Sequence, residues 1–83
     1  MRKIRYTLHA LERMAQRGIS KEEVEKCIIS PDSLIKGEVV RAVKDTGDKV
    51  LVVVYRMEDD HALVITTFKS PKKEKYLDFP DDY

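Results

Sequence analysis

His9, Arg13 and Arg17 recur at i, i+4 and i+8 within the stretch Thr7–Gly18, T-L-H-A-L-E-R-M-A-Q-R-G. On a helix that spacing stacks one imidazole and two guanidiniums in a single row. Like charges a turn apart repel by about a few tenths of a kcal/mol on an exposed helix. The row therefore either leans on acids such as Glu12 and Glu22 or exists to meet an anion. A planar guanidinium offers paired donors to two oxygens of a phosphate, so Arg13 and Arg17 could clamp one. The plainer alternative is an ion pair with Glu22 or Glu23. His9 falls in the first turn, where the helix dipole disfavours the imidazolium and leaves a ring able to act as a base. The alternative is a hydrogen bond to Glu12 or to a backbone group. Added to Lys69, Tyr76 and a threonine at 66 or 67, these are residue types that can cleave RNA without a metal. A base activates the 2′-hydroxyl, fixed cations hold the phosphorane, and an acid protonates the leaving oxygen. In a plainer reading Tyr76 packs its ring on the sheet edge and the threonines serve β-propensity.

Classical enzyme signatures are missing. There is no glycine loop for phosphates and no G-x-S-x-G elbow, and His9 and His61 have no partners at metal-ligand spacing. No metal and no cofactor is expected. Cys27 is the single cysteine. It excludes an intramolecular disulfide and reads as a small buried hydrophobe on a helix.

Eighty-three residues with a net charge of +1 suit one small domain rather than a protein that coats nucleic acid indiscriminately. The charge is unevenly placed. Arg2, Lys3, Arg5, Arg13 and Arg17 stand against Glu12 alone in residues 1–17, and Lys69, Lys72, Lys73 and Lys75 form a second basic cluster. If the fold joins them they make an anion site, with Lys72 and Lys73 extending an RNA contact begun by Arg13 and Arg17. Otherwise they are solvated surface lysines. No leader-like or membrane-spanning apolar run is readable, so a cytoplasmic protein with no membrane contact is expected.

The elements that must position these residues have clear local signals. Thr7 is an N-cap and Gly18 a left-handed stop for a first helix, whose inward stripe is expected to be Leu8, Leu11, Met14 and Ala15. Ser20 and Glu23 form a capping box, Ile19 and Val24 a hydrophobic staple, and Pro31 ends a second helix that turns Val24, Cys27 and Ile28 inward. The helix pair spans about 7–29. Period-two patterning then predicts three strands over about 34–69. They are 34–44, the β-branched 49–57 buried on both faces, and 61–69, joined by turns at 45–48 and 58–60. Strict alternation in the last strand groups Leu63, Ile65, Thr67 and Lys69 against Ala62, Val64, Thr66 and Phe68. Residues 1–6 read as an extended lead-in or a short edge strand. The tail 70–83 could add an edge strand, form a short helix or fray. The expected architecture is α+β, a single domain of two N-terminal helices packed on a three- or four-stranded antiparallel β-meander.

The run H-A-L-E-R-M-A-Q-R-G-I-S-K-E-E-V (9–24), with V-V-V-Y (52–55) and L-V-I-T-T-F (63–68), resembles a small bacterial and archaeal domain of unknown function. Its hallmark is His-Ala-x-x-Arg-Met-x-x-Arg-Gly-Ile and a later Val-Ile-Thr strand. That family is similar in turn to the RelE superfamily of toxins, particularly the BrnT type. The resemblance implies a RelE/BrnT-like fold, metal-independent cleavage of mRNA by the toxin of a toxin–antitoxin pair, and control by a cognate antitoxin. It carries onto His9, Arg13 and Arg17, and onto Thr66 or Thr67. Where BrnT-like proteins end the last strand in an arginine, this chain has Phe68 and Lys69, and Glu74 and Tyr76 follow at a different spacing. The expected catalytic set is His9 as base or acid, Arg13 and Arg17 on the phosphate, Lys69 on the developing charge and Tyr76 as a second acid. Two alternatives stand beside it. One is a non-catalytic module that grips RNA or an acidic protein. The other is a structural domain whose exposed strand pairs with another copy in a homodimer.

Overall fold

Thr7 joins the first strand to the first helix. The computed structural model describes residues 3–77. Strand β1 (Lys3–Tyr6) ends one residue before helix α1 (Leu8–Arg17). The Thr7 Oγ1 accepts from the Ala10 N–H at 3.0 Å and donates to the Ile65 carbonyl at 3.1 Å. Its N–H donates to the Val64 carbonyl at 3.0 Å. One threonine thus caps the helix and pins its start to a distant strand. Gly18 closes the helix at φ 65°, the left-handed region that glycine enters at little cost.

The roll of α1 differs from the expected stripe. Ala10 and Met14 are the buried residues, whereas Leu8 and Leu11 are 73% and 39% exposed. The pinning by Thr7 sets this roll, turning the small Ala10 and, a turn later, Met14 toward the core.

Helix α2 (Lys21–Ile29) begins with the full capping box. The Glu23 N–H donates to Ser20 Oγ at 3.1 Å, and the Ser20 N–H to Glu23 Oε1 at 3.0 Å. That reciprocal bond is the first cause holding the Glu23 carboxyl below its ordinary range, with Lys69 adding to it. Ser20→Ala removes the acceptor, so the thermal midpoint is expected to fall by about 4–8 °C for a loss of about 1 kcal/mol. An unchanged melting curve would refute the box as a stabilising feature. Val24 and Cys27 are buried and Ile28 is partly so.

The sheet has five strands, not three or four. β2 (Ser33–Lys36), β3 (Val40–Asp45), β4 (Val50–Glu58) and β5 (His61–Ser70) join β1 in the order β1-β5-β4-β3-β2. It is mixed rather than antiparallel, because β1 runs parallel to β5. A helix pair between β1 and the remaining strands carries the chain across the sheet, which frees β1 to enter beside the last strand. The single strand expected over 34–44 is a hairpin, broken at residues 37–39, where the Gly37 N–H meets the Val39 carbonyl.

Across β4 the core has two layers. Leu51, Val53 and Tyr55 join Val40, Ala42, Ala62 and Val64 beneath α1 and α2. Val50 and Val52 join Val43 on the other face, against the short helix α3 (Lys73–Leu77). One irregularity orients β5. Val54 pairs with Thr66 but Tyr55 with Val64, so Ile65 is an extra residue, a β-bulge. Beyond it the alternation inverts. Thr67 and Lys69 therefore share the helix-covered face with Ala62 and Val64, and Leu63, Thr66 and Phe68 share the other, which corrects the grouping from strict alternation.

Candidate functional site

The row on α1 forms in part as a bonded pair. Arg13 Nε donates to His9 Nε2 at 3.5 Å, and Arg13 Nη1 to Gln16 Oε1 at 3.2 Å. A guanidinium can only donate, so in this contact the His9 Nε2 stands as the acceptor. His9 and Arg17 are exposed and Arg13 is half-buried. Among the described residues neither arginine pairs with a carboxylate. The ion pair considered for them, with Glu23, is taken instead by Lys69, whose Nζ lies 3.4 Å from Glu23 Oε2. Gln16 is the member that sequence reasoning missed. Its place three residues after Arg13 is the signal that could have found it.

The other expected members lie elsewhere. Lys69 faces α2 and is held by Glu23. Tyr76 packs edge-to-face on Phe68, ring centroids 5.8 Å apart, on the far side of the sheet from α1. Lys72 and Lys73 open the segment of α3 on that same far side. The Lys72 N–H donates to Ser70 Oγ, and the Lys73 Nζ lies 3.2 Å from Asp45 Oδ1. Lys72 and Lys73 are thus separated by the sheet from Arg13 and Arg17, while Lys69 lies on the helix-covered face against α2. Thr67 is buried with its Oγ1 donating to the Val52 carbonyl at 2.8 Å, a packing role, and Thr66 faces away from α1.

Three further features bound the chemistry. Cys27 is fully buried, its Sγ 3.7 Å from the Leu51 carbonyl, and burial pushes its thiol up to about 12, an inert group at neutral pH. A cavity of about 150 Å³ opens between α2 and the β3–β4 turn, lined by Glu23, Lys26, Lys44, Asp45, Thr46 and Leu51, with charges of both signs. Among the described residues no cluster of three or more His, Cys, Asp or Glu could hold a metal ion, and no helix is long and apolar enough to cross a membrane. On this geometry α1 presents a solvent-facing row of two guanidiniums and one imidazole.

Residues 6–69 match the family described as "Domain of unknown function (DUF4258)". No curated protein and no solved structure matches the chain.

Proposed function

The chain belongs to the DUF4258 family of domains of unknown function, and from that premise we propose that it engages RNA through phosphate contacts along α1. One observation carries this reading. Two guanidiniums and an imidazole share a helix row, and no described carboxylate neutralises the arginines. Guanidiniums without a carboxylate partner are suited to paired bonds with phosphate oxygens. A row exposed along one helix suits a backbone that lies across it.

A second reading is a metal-independent endoribonuclease, the cytoplasmic toxin of a pair with a cognate antitoxin on a RelE/BrnT-like fold. It is favoured by the Arg13–His9 contact, which sets an imidazole nitrogen beside a guanidinium. His9 would take the 2′-hydroxyl proton while Arg13 and Arg17 hold the phosphate. Lys69 and Tyr76, engaged elsewhere, are left out of this set.

Binding of labelled single-stranded RNA across a salt series separates these readings. Arg13→Ala with Arg17→Ala is expected to weaken binding about tenfold or more and to flatten the salt slope by about 1–2, whatever the RNA sequence. His9→Ala is expected to leave affinity within about twofold, since in this reading the two guanidiniums make the phosphate contacts. Affinity that ignores the arginine pair would sink the binding reading. RNA cleaved in EDTA by the native protein, and spared by His9→Ala, would establish the enzyme instead.

A further inference from the structure

The sheet face opposite α1 and α2 is covered over only part of its area. Tyr76, Leu77 and Phe68 close over Val43, Val50 and Val52. The next rows toward the β4–β5 turn are half-buried or exposed, with Val54 at the edge of that covered cluster. Register identifies their members, because residues paired across neighbouring strands share a face. Arg5 and Arg56 both pair with Leu63, which puts two guanidiniums on either side of one leucine. The adjoining row runs Thr66, Val54, Arg41 and Ile35. Strand spacing sets Arg56 about 8 Å from Arg41 and about 10 Å from Arg5, measured between backbones.

Charge on this area is one-sided. Arg5, Arg41 and Arg56 are all exposed. Neither Arg5 nor Arg41 meets a carboxylate among the described residues, and Arg56 has only a loose contact with Glu58 at 3.8 Å. Glu58 is itself shared with His61 at 3.3 Å, and His61 also turns to Asp60 in the adjacent turn. Between the guanidiniums lie half-buried Leu63 and Val54 and Ile35, which is 41% exposed. These rows carry no aromatic ring on which a nucleobase could stack.

We propose that this open half of the sheet docks an acidic peptide segment of a protein partner, its carboxylates on Arg5, Arg41 and Arg56 and its apolar side chains on Leu63, Val54 and Ile35. Charge complementarity selects the acids, and the aliphatic patch among the cations selects a peptide over a nucleic acid. The surface lies across the sheet from the α1 row and stands independently of what that row binds.

The test measures anisotropy of a labelled glutamate- and leucine-rich peptide of about twelve residues with the full chain. Saturable binding is expected. It should weaken about tenfold or more in Arg41→Gln with Arg56→Gln and in a peptide whose leucines are replaced by serine, and stay unchanged in Arg13→Gln with Arg17→Gln. Both arginines at 41 and 56 are exposed, so the fold is kept, which far-UV circular dichroism checks. Four outcomes would overturn the proposal: no saturable binding, equal loss in both double variants, single-stranded RNA rather than peptide lost in Arg41→Gln with Arg56→Gln, or a concentration-dependent dimer that the same variant abolishes.

Discussion

Leu51→Ala is expected to lower unfolding free energy by about 3 kcal/mol and the thermal midpoint by about 12–24 °C. Leu51 is 1% exposed in β4, on the face beneath α2, and its carbonyl receives the Cys27 thiol. Truncation loses the transfer energy of the side chain and enlarges the cavity it already lines. Total stability for a chain this size is about 4–12 kcal/mol, so one leucine accounts for a sizeable share. Val39→Ala is the control. Val39 is 38% exposed in the β2–β3 turn, and its replacement should fall within about 0.5 kcal/mol of the native protein. Urea and thermal unfolding of both variants decide it. If Leu51→Ala shifts the midpoint no more than Val39→Ala, the assignment of the main core to this layer fails.

The second large effect is at alkaline pH. Burial pushes the Cys27 thiol from its ordinary 9.0 up to about 12, with the Lys44 charge opposing. Once unfolded, the thiol loses its proton above about pH 8.5–9, while the folded state keeps it until about 12. The unfolded state then binds fewer protons, so stability must fall as pH rises through this window. The contribution is fully present below pH 9 and declines by about 1.4 kcal/mol per pH unit, reaching about 4 kcal/mol near pH 12. Cys27→Ala lacks this titration and should lose stability more slowly between pH 9 and 11, although its cavity makes it less stable at pH 7. The Tyr6 phenol, also raised, chiefly by burial, is common to both proteins and cancels in the difference. Parallel stability–pH curves would refute a thiol held neutral by the core.

The helix pair was legible because its signals are satisfied within three or four residues. Thr7, Gly18, Ser20 and Glu23 each make a capping bond inside the segment that names them. The double burial of 50–53 was equally readable, since a β-branched run without polar breaks has no solvent face to spare. What failed was set at a distance. Leu8 and Leu11 look like core until the Thr7 hydroxyl reaches Ile65, 58 residues on, and fixes the roll of α1. Nothing local in H-A-L-V-I-T-T-F-K marks Ile65 as the extra residue that inverts the strand. That inversion set the true facing of Ala62 and Val64 relative to Thr67. Gly37 was a visible breaker, and the hairpin it makes was read through as one strand. The site divides in the same way. The His9–Arg13 contact follows from helix geometry, whereas the places of Lys69 and Tyr76 depend on Glu23 and Phe68, which meet them only after the sheet assembles.

The parallel seam between β1 and β5 also dictates when the molecule can become itself during synthesis. Residues 3–6 have their sheet partner at 61–64. While the chain emerges from the ribosome, the helix pair and the β2–β3–β4 hairpins can form from neighbours in sequence, but β1 must wait with its backbone unpaired. Closing so long a loop is entropically slow and places this contact late in folding. The waiting strand, K-I-R-Y, carries two cations on alternate residues. Such charges discourage an unpaired edge from joining a neighbouring nascent chain before its own partner arrives.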